Sequence, residues 1–170
     1  MKPFFNILKH SLGARKNVVL YNYALGTERK MIKMFAPVQD GYLRTGLAHV
    51  SSDKSEPENE GCAFEVEMVQ GSELLKGLPR LDYLKCDIEG YEEYVLPEIK
   101  NIIEKFKPVI QVETAGTHKD KVFDLLHGMG YNVYRLAHGR LSEDMNADTY
   151  SADYLFIHQD NYPANFSELI

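Results

Sequence analysis

The sequence predicts an α/β protein built on a mostly parallel sheet with helices on both faces. Three observations carry this. The stretch Leu81-Asp82-Tyr83-Leu84-Lys85-Cys86-Asp87-Ile88-Glu89-Gly90-Tyr91-Glu92 is an apolar run that ends in acids and then passes into a helical pattern, as a buried strand does when it feeds a helix. From Leu81 onward the patterns follow the order β-α-β-α-β-β, which makes parallel neighbours and closes on a hairpin or an antiparallel strand. The chain of 170 residues is 44% hydrophobic, enough for one domain with a real core.

Phe4, Phe5, Leu8 and Leu12 recur at helical spacing before Gly13, which predicts a short amphipathic helix over residues 3–12. Val18 to Leu25 is β-rich and ends at Gly26. Lys30 to Ala36 reads as a second strand, returning as a hairpin after Gly26-Thr27-Glu28. Residues 37–61 show no periodicity and carry Pro37, Gly41, Gly46, Pro57 and Gly61; a long loop is expected there, as a lid or a disordered stretch. Phe64-Glu65-Val66-Glu67-Met68 alternates like a strand with one wet face, and residues 72–77 suit a short helix.

Beyond the Leu81–Cys86 strand, Tyr91, Tyr94, Val95, Ile99, Ile102, Ile103 and Phe106 trace one helical face. Pro97 lacks an amide donor, so a kink or a split is expected in that helix. Pro108–Glu113 is the next strand. Val122, Leu125, Leu126 and Met129 mark a helix that Gly128 and Gly130 stop, and Tyr131–Ala137 and Asp153–His158 are two further strands. The chain contains no internal repeat and no low-complexity tract.

Composition excludes several classes. A net charge of −6 without a basic stripe argues against a nucleic-acid partner. No apolar run approaches the roughly 18 residues of a membrane span, and the N-terminus is too interrupted for a signal peptide. Cys62 and Cys86 are too few for a disulfide framework, and Cys86 falls inside a core strand, which points to reduced thiols and a cytoplasmic protein. The histidines, including His10, His49, His127, His138 and His158, form no His-x-x-x-His spacing. No Gly-x-Ser-x-Gly elbow or Walker-type loop is present, so acyl transfer through a serine and ATP hydrolysis have no support.

What remains is a set of carboxylates. Strands joined by one helix are commonly neighbours, about 4.8 Å apart, so Asp87 and Glu113 can converge at one sheet edge. Such a pair can hold a divalent cation or share a proton and act as a base. Alternatively, Asp87 and Glu89 cap the helix that begins near Gly90, and Glu92 and Glu93 favour its first turn through the helix dipole. Gly90 lets the backbone turn or be approached closely. His118, in the loop after Glu113, sits on the edge where such folds bind ligands and can be a base, a substrate contact or a solvated loop residue.

The segment Leu84–Glu92, followed by Lys107-Pro108-Val109-Ile110-Gln111-Val112-Glu113, resembles the FkbM family of S-adenosylmethionine-dependent methyltransferases. The family's Asp-x-Glu-Gly-x-Glu signature maps onto Asp87, Glu89, Gly90 and Glu92, and its lysine-proline strand entry onto Lys107 and Pro108. Tyr21-Asn22-Tyr23-Ala24-Leu25-Gly26, Gly130-Tyr131 and Tyr154-Leu155-Phe156-Ile157 are similar to further family elements. The resemblance implies a Rossmann-like methyltransferase fold in a single domain over 1–170, and methyl transfer to a hydroxyl of a small molecule or glycan. It implies catalytic roles for Asp87, Glu89 and Glu113, substrate contacts for His118 and Glu92, and cofactor contacts for Asp87 and Gly90. A divalent metal is an added option.

The departure is at the front. The family's first strand, its acidic glycine-rich cofactor loop and the following strand have no counterpart before Pro3, so an N-terminally shortened domain is expected. The Asp87 strand would then have an unpaired edge. Either Val18–Leu25 re-pairs onto it or a homodimer covers it. Two further functions stay open: a non-catalytic methyltransferase-like module that binds a partner or sugar, and a hydrolase with Asp87 and Glu113 as metal ligands.

Overall fold

The computed structural model describes residues 2–51, 60–137, 140–146 and 153–161. Its contacts divide the chain into two units, Met1–Gly71 and Ser72–Ile170. The first unit opens with helix α1 (Lys2–Leu12). Five strands follow: β1 (Ala24–Gly26), β2 (Lys30–Gln39), β3 (Tyr42–Leu43), β4 (His49–Val50) and β5 (Gly61–Gln70). The ladder between β2 and β5 is antiparallel and runs from Lys30 opposite Met68 to Pro37 opposite Gly61. Phe35, Ala36, Val66, Met68 and Val69 are buried, and the Phe4 ring meets the Phe64 ring edge-on at 6.3 Å.

Two expectations fail in this unit. No hairpin joins β1 to β2, because β5 lies between them and pairs with β1 in parallel, Ala24 opposite Met68. Gly26 is required by close approach: a Cβ there would collide with the Met68 thioether. Nor is 37–51 without structure, since β2 runs on to Gln39 and β3, a 3₁₀ turn at Thr45–Leu47 and β4 follow. Residues 52–59 of the expected loop lie outside the described residues.

Helix α2 (Gly71–Leu74) leads to the second unit. There β6 (Tyr83–Cys86), α3 (Glu92–Glu98), α4 (Lys100–Phe106), β7 (Val109–Glu113), α5 (Gly116–Gly128), β8 (Tyr131–Ala137), β9 (Arg140–Ser142) and β10 (Asp153–His158) follow. The helix expected to kink at Pro97 is split, with Ile99 joining α3 to α4. The second piece stops at Lys107, which is left-handed at φ 49° and donates to the Ile103 carbonyl at 2.7 Å, and Pro108 follows.

The strand order is β6-β7-β10-β8-β9. Only β6 and β7 are parallel here; β10 enters between β7 and β8 and runs antiparallel to both. Among the described residues, two of the eight strand pairings in the two sheets are parallel. The sheets are therefore mixed rather than mostly parallel. Leu96, Ile99, Ile103, Val122 and Leu126 from the helices pack with Ile110, Val112, Tyr154 and Phe156. The opposite strand face holds Tyr134, Leu141 and Ile157 with Val109 and Leu155. Among the described residues of this unit, the helices pack on the first of these faces, where they were expected on both. Where Val18–Leu25 was expected to pair with the Asp87 strand, β1 pairs with β5, and β6 is an end strand of its sheet among the described residues. No helix among the described residues is long and apolar enough to cross a membrane.

Candidate functional site

Parallel pairing sets Cys86 opposite Val112, so the next residue on each strand, Asp87 and Glu113, emerges at the same carboxyl edge. Between them and the start of α5 is a cavity of about 320 Å³, lined by Asp87, Glu89, Gly90, Glu92, Glu113, Thr114, Ala115 and His118. Every site residue expected from the sequence is in that lining. The link from β6 to α3 turns sharply: Glu89 has φ 54° and Gly90 φ 91°. A Cβ on Gly90 would meet nothing within 4 Å, so glycine serves the backbone conformation there and not a close approach. Glu89 adopts that region with a side chain, an unfavourable conformation of the kind concentrated at functional loops.

The carboxylates differ in their partners. Asp87 pairs with Lys85 at 2.6 Å and does not cap α3. Glu92 does the local capping: its Oε1 accepts from the amides of Ile88 at 2.9 Å and Gly90 at 3.4 Å. Glu92 is fully buried, and among the described residues its Oε2 has no hydrogen-bond partner, nor does the buried Oγ1 of Thr114. Desolvation pushes the Glu113 pKa up, with Asp87 and Asp153 adding repulsion and Lys85 partly opposing it. Cys86 beneath them is a buried thiol pushed up to about 12, by desolvation first and then by Glu92 and Asp87. It is a packing residue, as a core strand position predicts.

His118 projects from the first turn of α5, and its Nδ1 is 2.7 Å from Oε1 of Glu93. Oε2 of Glu93 pairs with Lys121. Sequence reasoning took Glu93 only as a first-turn acid and missed Lys121 and Thr114. One signal was available, because His118 and Lys121 stand at i, i+3 and share a helix face. Among the described residues, no group of three or more His, Cys, Asp and Glu is placed to hold a metal ion; His138 lies outside them.

The acid-lined cavity lies at the carboxyl edge of a parallel strand pair in a mixed α/β protein, the position where open α/β sheets commonly bind ligands. The family follows from comparison: the model of the Methyltransferase FkbM domain matches residues 3–133, and the chain belongs to that family. Searches of curated proteins and of solved structures find no match.

Proposed function

We propose that the chain transfers a methyl group from S-adenosylmethionine to a hydroxyl oxygen of a small molecule or glycan. The observation that supports this best is the convergence of Asp87, Glu89, Glu113 and His118 on one cavity in a chain of the FkbM methyltransferase family. The donor set is the test of fit. Four carboxylates in one lining suit the cationic end of that cofactor, with Asp87 and the Gly90 turn as its contacts, whereas polar walls suit the adenine ring less. When bound, the cofactor supplies an electrophilic methyl group on a sulfonium cation.

The chain's own residues then have defined tasks. Asp87, held by Lys85, accepts a hydrogen bond from the acceptor hydroxyl and fixes its direction. Glu89 and Glu113 hold further hydroxyls of the acceptor. Catalysis is largely positioning plus removal of one proton. Glu92, expected as a substrate contact, shapes the loop through the Ile88 amide and bounds the cavity floor. We further propose a cytoplasmic location, and self-association through the β6 edge, which light scattering of the purified chain would detect as a dimer.

The test is incubation with methyl-labelled S-adenosylmethionine and a panel of monosaccharides and polyols. Label should appear in an acceptor with the native chain and fall about 100-fold with Asp87→Ala. Retained sugar binding without any label transfer would favour the non-catalytic module instead.

A further inference from the structure

Glu93, in the first turn of α3, stands beside the cavity residue His118 and carries two contacts from basic side chains. Its side chain is 4% exposed, with Nδ1 of His118 on one oxygen and Lys121 on the other. The hydrogen bond from Lys121 and that from His118 hold its carboxyl below the usual carboxylate range. At neutral pH Glu93 is therefore ionised and can only accept. The hydrogen in its 2.7 Å contact with His118 has to come from the imidazole. That puts a proton on Nδ1 and, in the neutral ring, leaves the lone pair on Nε2. His118 itself is half-exposed and stands in the cavity lining with Asp87 and Glu113.

We propose that His118 is the proton acceptor of the reaction and that Glu93 is the positioning residue that fixes its ring and tautomer. This rests on the methyl-transfer reading. The acceptor O–H bond would break, an N–H bond form at Nε2, and the electron pair stay on oxygen; the O–CH3 bond would then form as the S–CH3 bond of the bound cofactor breaks and its electron pair stays on sulfur as a neutral thioether. The resulting imidazolium keeps its Nδ1–H on Glu93, whose negative charge offsets the new positive one. An imidazole is better matched to this task near neutral pH than a carboxylate, because its ordinary pKa of about 6.5 lies closer to the working range. Glu113 and Asp87 are then left to orient the hydroxyl. The logic is that of carboxylate–histidine pairs in general, where the acid sets the tautomer and the other nitrogen does the chemistry.

Two readouts decide it. In ¹⁵N spectra, neutral His118 should be the Nδ1–H tautomer in the native chain and should shift toward Nε2–H in Glu93→Ala, with Glu93→Gln as the second variant if the first fails to fold. In the labelled transfer reaction, His118→Gln should lower kcat about 100-fold and leave KM for S-adenosylmethionine within about twofold. An Nε2–H tautomer in the native chain overturns the proposal. So does an unchanged kcat in His118→Gln while the native chain is active, and that result leaves the methyl-transfer reading standing. A native chain that methylates nothing in the panel overturns both.

Discussion

Glu92 offers the sharpest stability test, because the first-turn acid that the sequence reads there proves to bond the loop ahead of its own helix, whereas the family resemblance implied a substrate contact. Truncation in Glu92→Ala removes the 2.9 Å bond to the Ile88 amide, a loss of about 2 kcal/mol including the stranded donor. The 3.4 Å approach to Gly90 is too long to add much. Loss of the buried arm leaves a gap worth about 2 kcal/mol. In the other direction, the unpartnered Oε2 disappears, which returns about 2 kcal/mol. The net expectation is destabilisation of about 2 kcal/mol, or roughly 6 °C in Tm for a chain of this length. Glu92→Gln keeps the accepting oxygen and should stay within about 1 kcal/mol of the native chain. Urea unfolding followed by circular dichroism measures both. An unchanged midpoint in Glu92→Ala, or an equal fall in Glu92→Gln, would refute the capping assignment.

Other consequences follow from the same geometry. Gly26→Ala would press a methyl group onto buried Met68 and should cost about 1–3 kcal/mol in urea unfolding. A thiol reagent at pH 8 should titrate exposed Cys62 and leave Cys86 unreactive until denaturant is added; two fast thiols in the native chain would contradict that. The raised pKa of Glu113 means the folded state holds its proton more tightly than the unfolded chain. Its contribution is therefore complete at acid pH and is lost as pH rises through the raised value. Stability of Glu113→Gln relative to the native chain should accordingly rise from pH 4 to pH 8, and a flat difference would remove the basis for crowding at the site.

Much of the site was legible because it is local. The Asp87 and Glu113 strands are joined by one helical segment, so their neighbourhood followed from connectivity, and Gly90 and Pro97 acted where their backbones predict. What was misread depends on long-range pairing. Val18–Leu25 reads as β-rich beside Lys30–Ala36, and only the partner strand at Gly61–Gln70 reveals that the strand actually formed, Ala24–Gly26, pairs in parallel with it and lies one strand away from β2. Likewise, nothing within Asp153–His158 tells that it inserts between β7 and β8 and makes the sheet mixed. β3, β4 and β9 are two or three residues long, too short for periodicity to register. The Glu93–His118 contact joins two helices, and a single sequence marks which residues share a helix face but not which faces meet.

We propose the acid-lined cavity of this FkbM-family chain as the receptor of S-adenosylmethionine. Calorimetric titration of the native chain and of Asp87→Asn with that cofactor tests it most directly. Micromolar binding that weakens at least tenfold in Asp87→Asn is the predicted result. No heat at millimolar cofactor, or equal affinity in both chains, would contradict it.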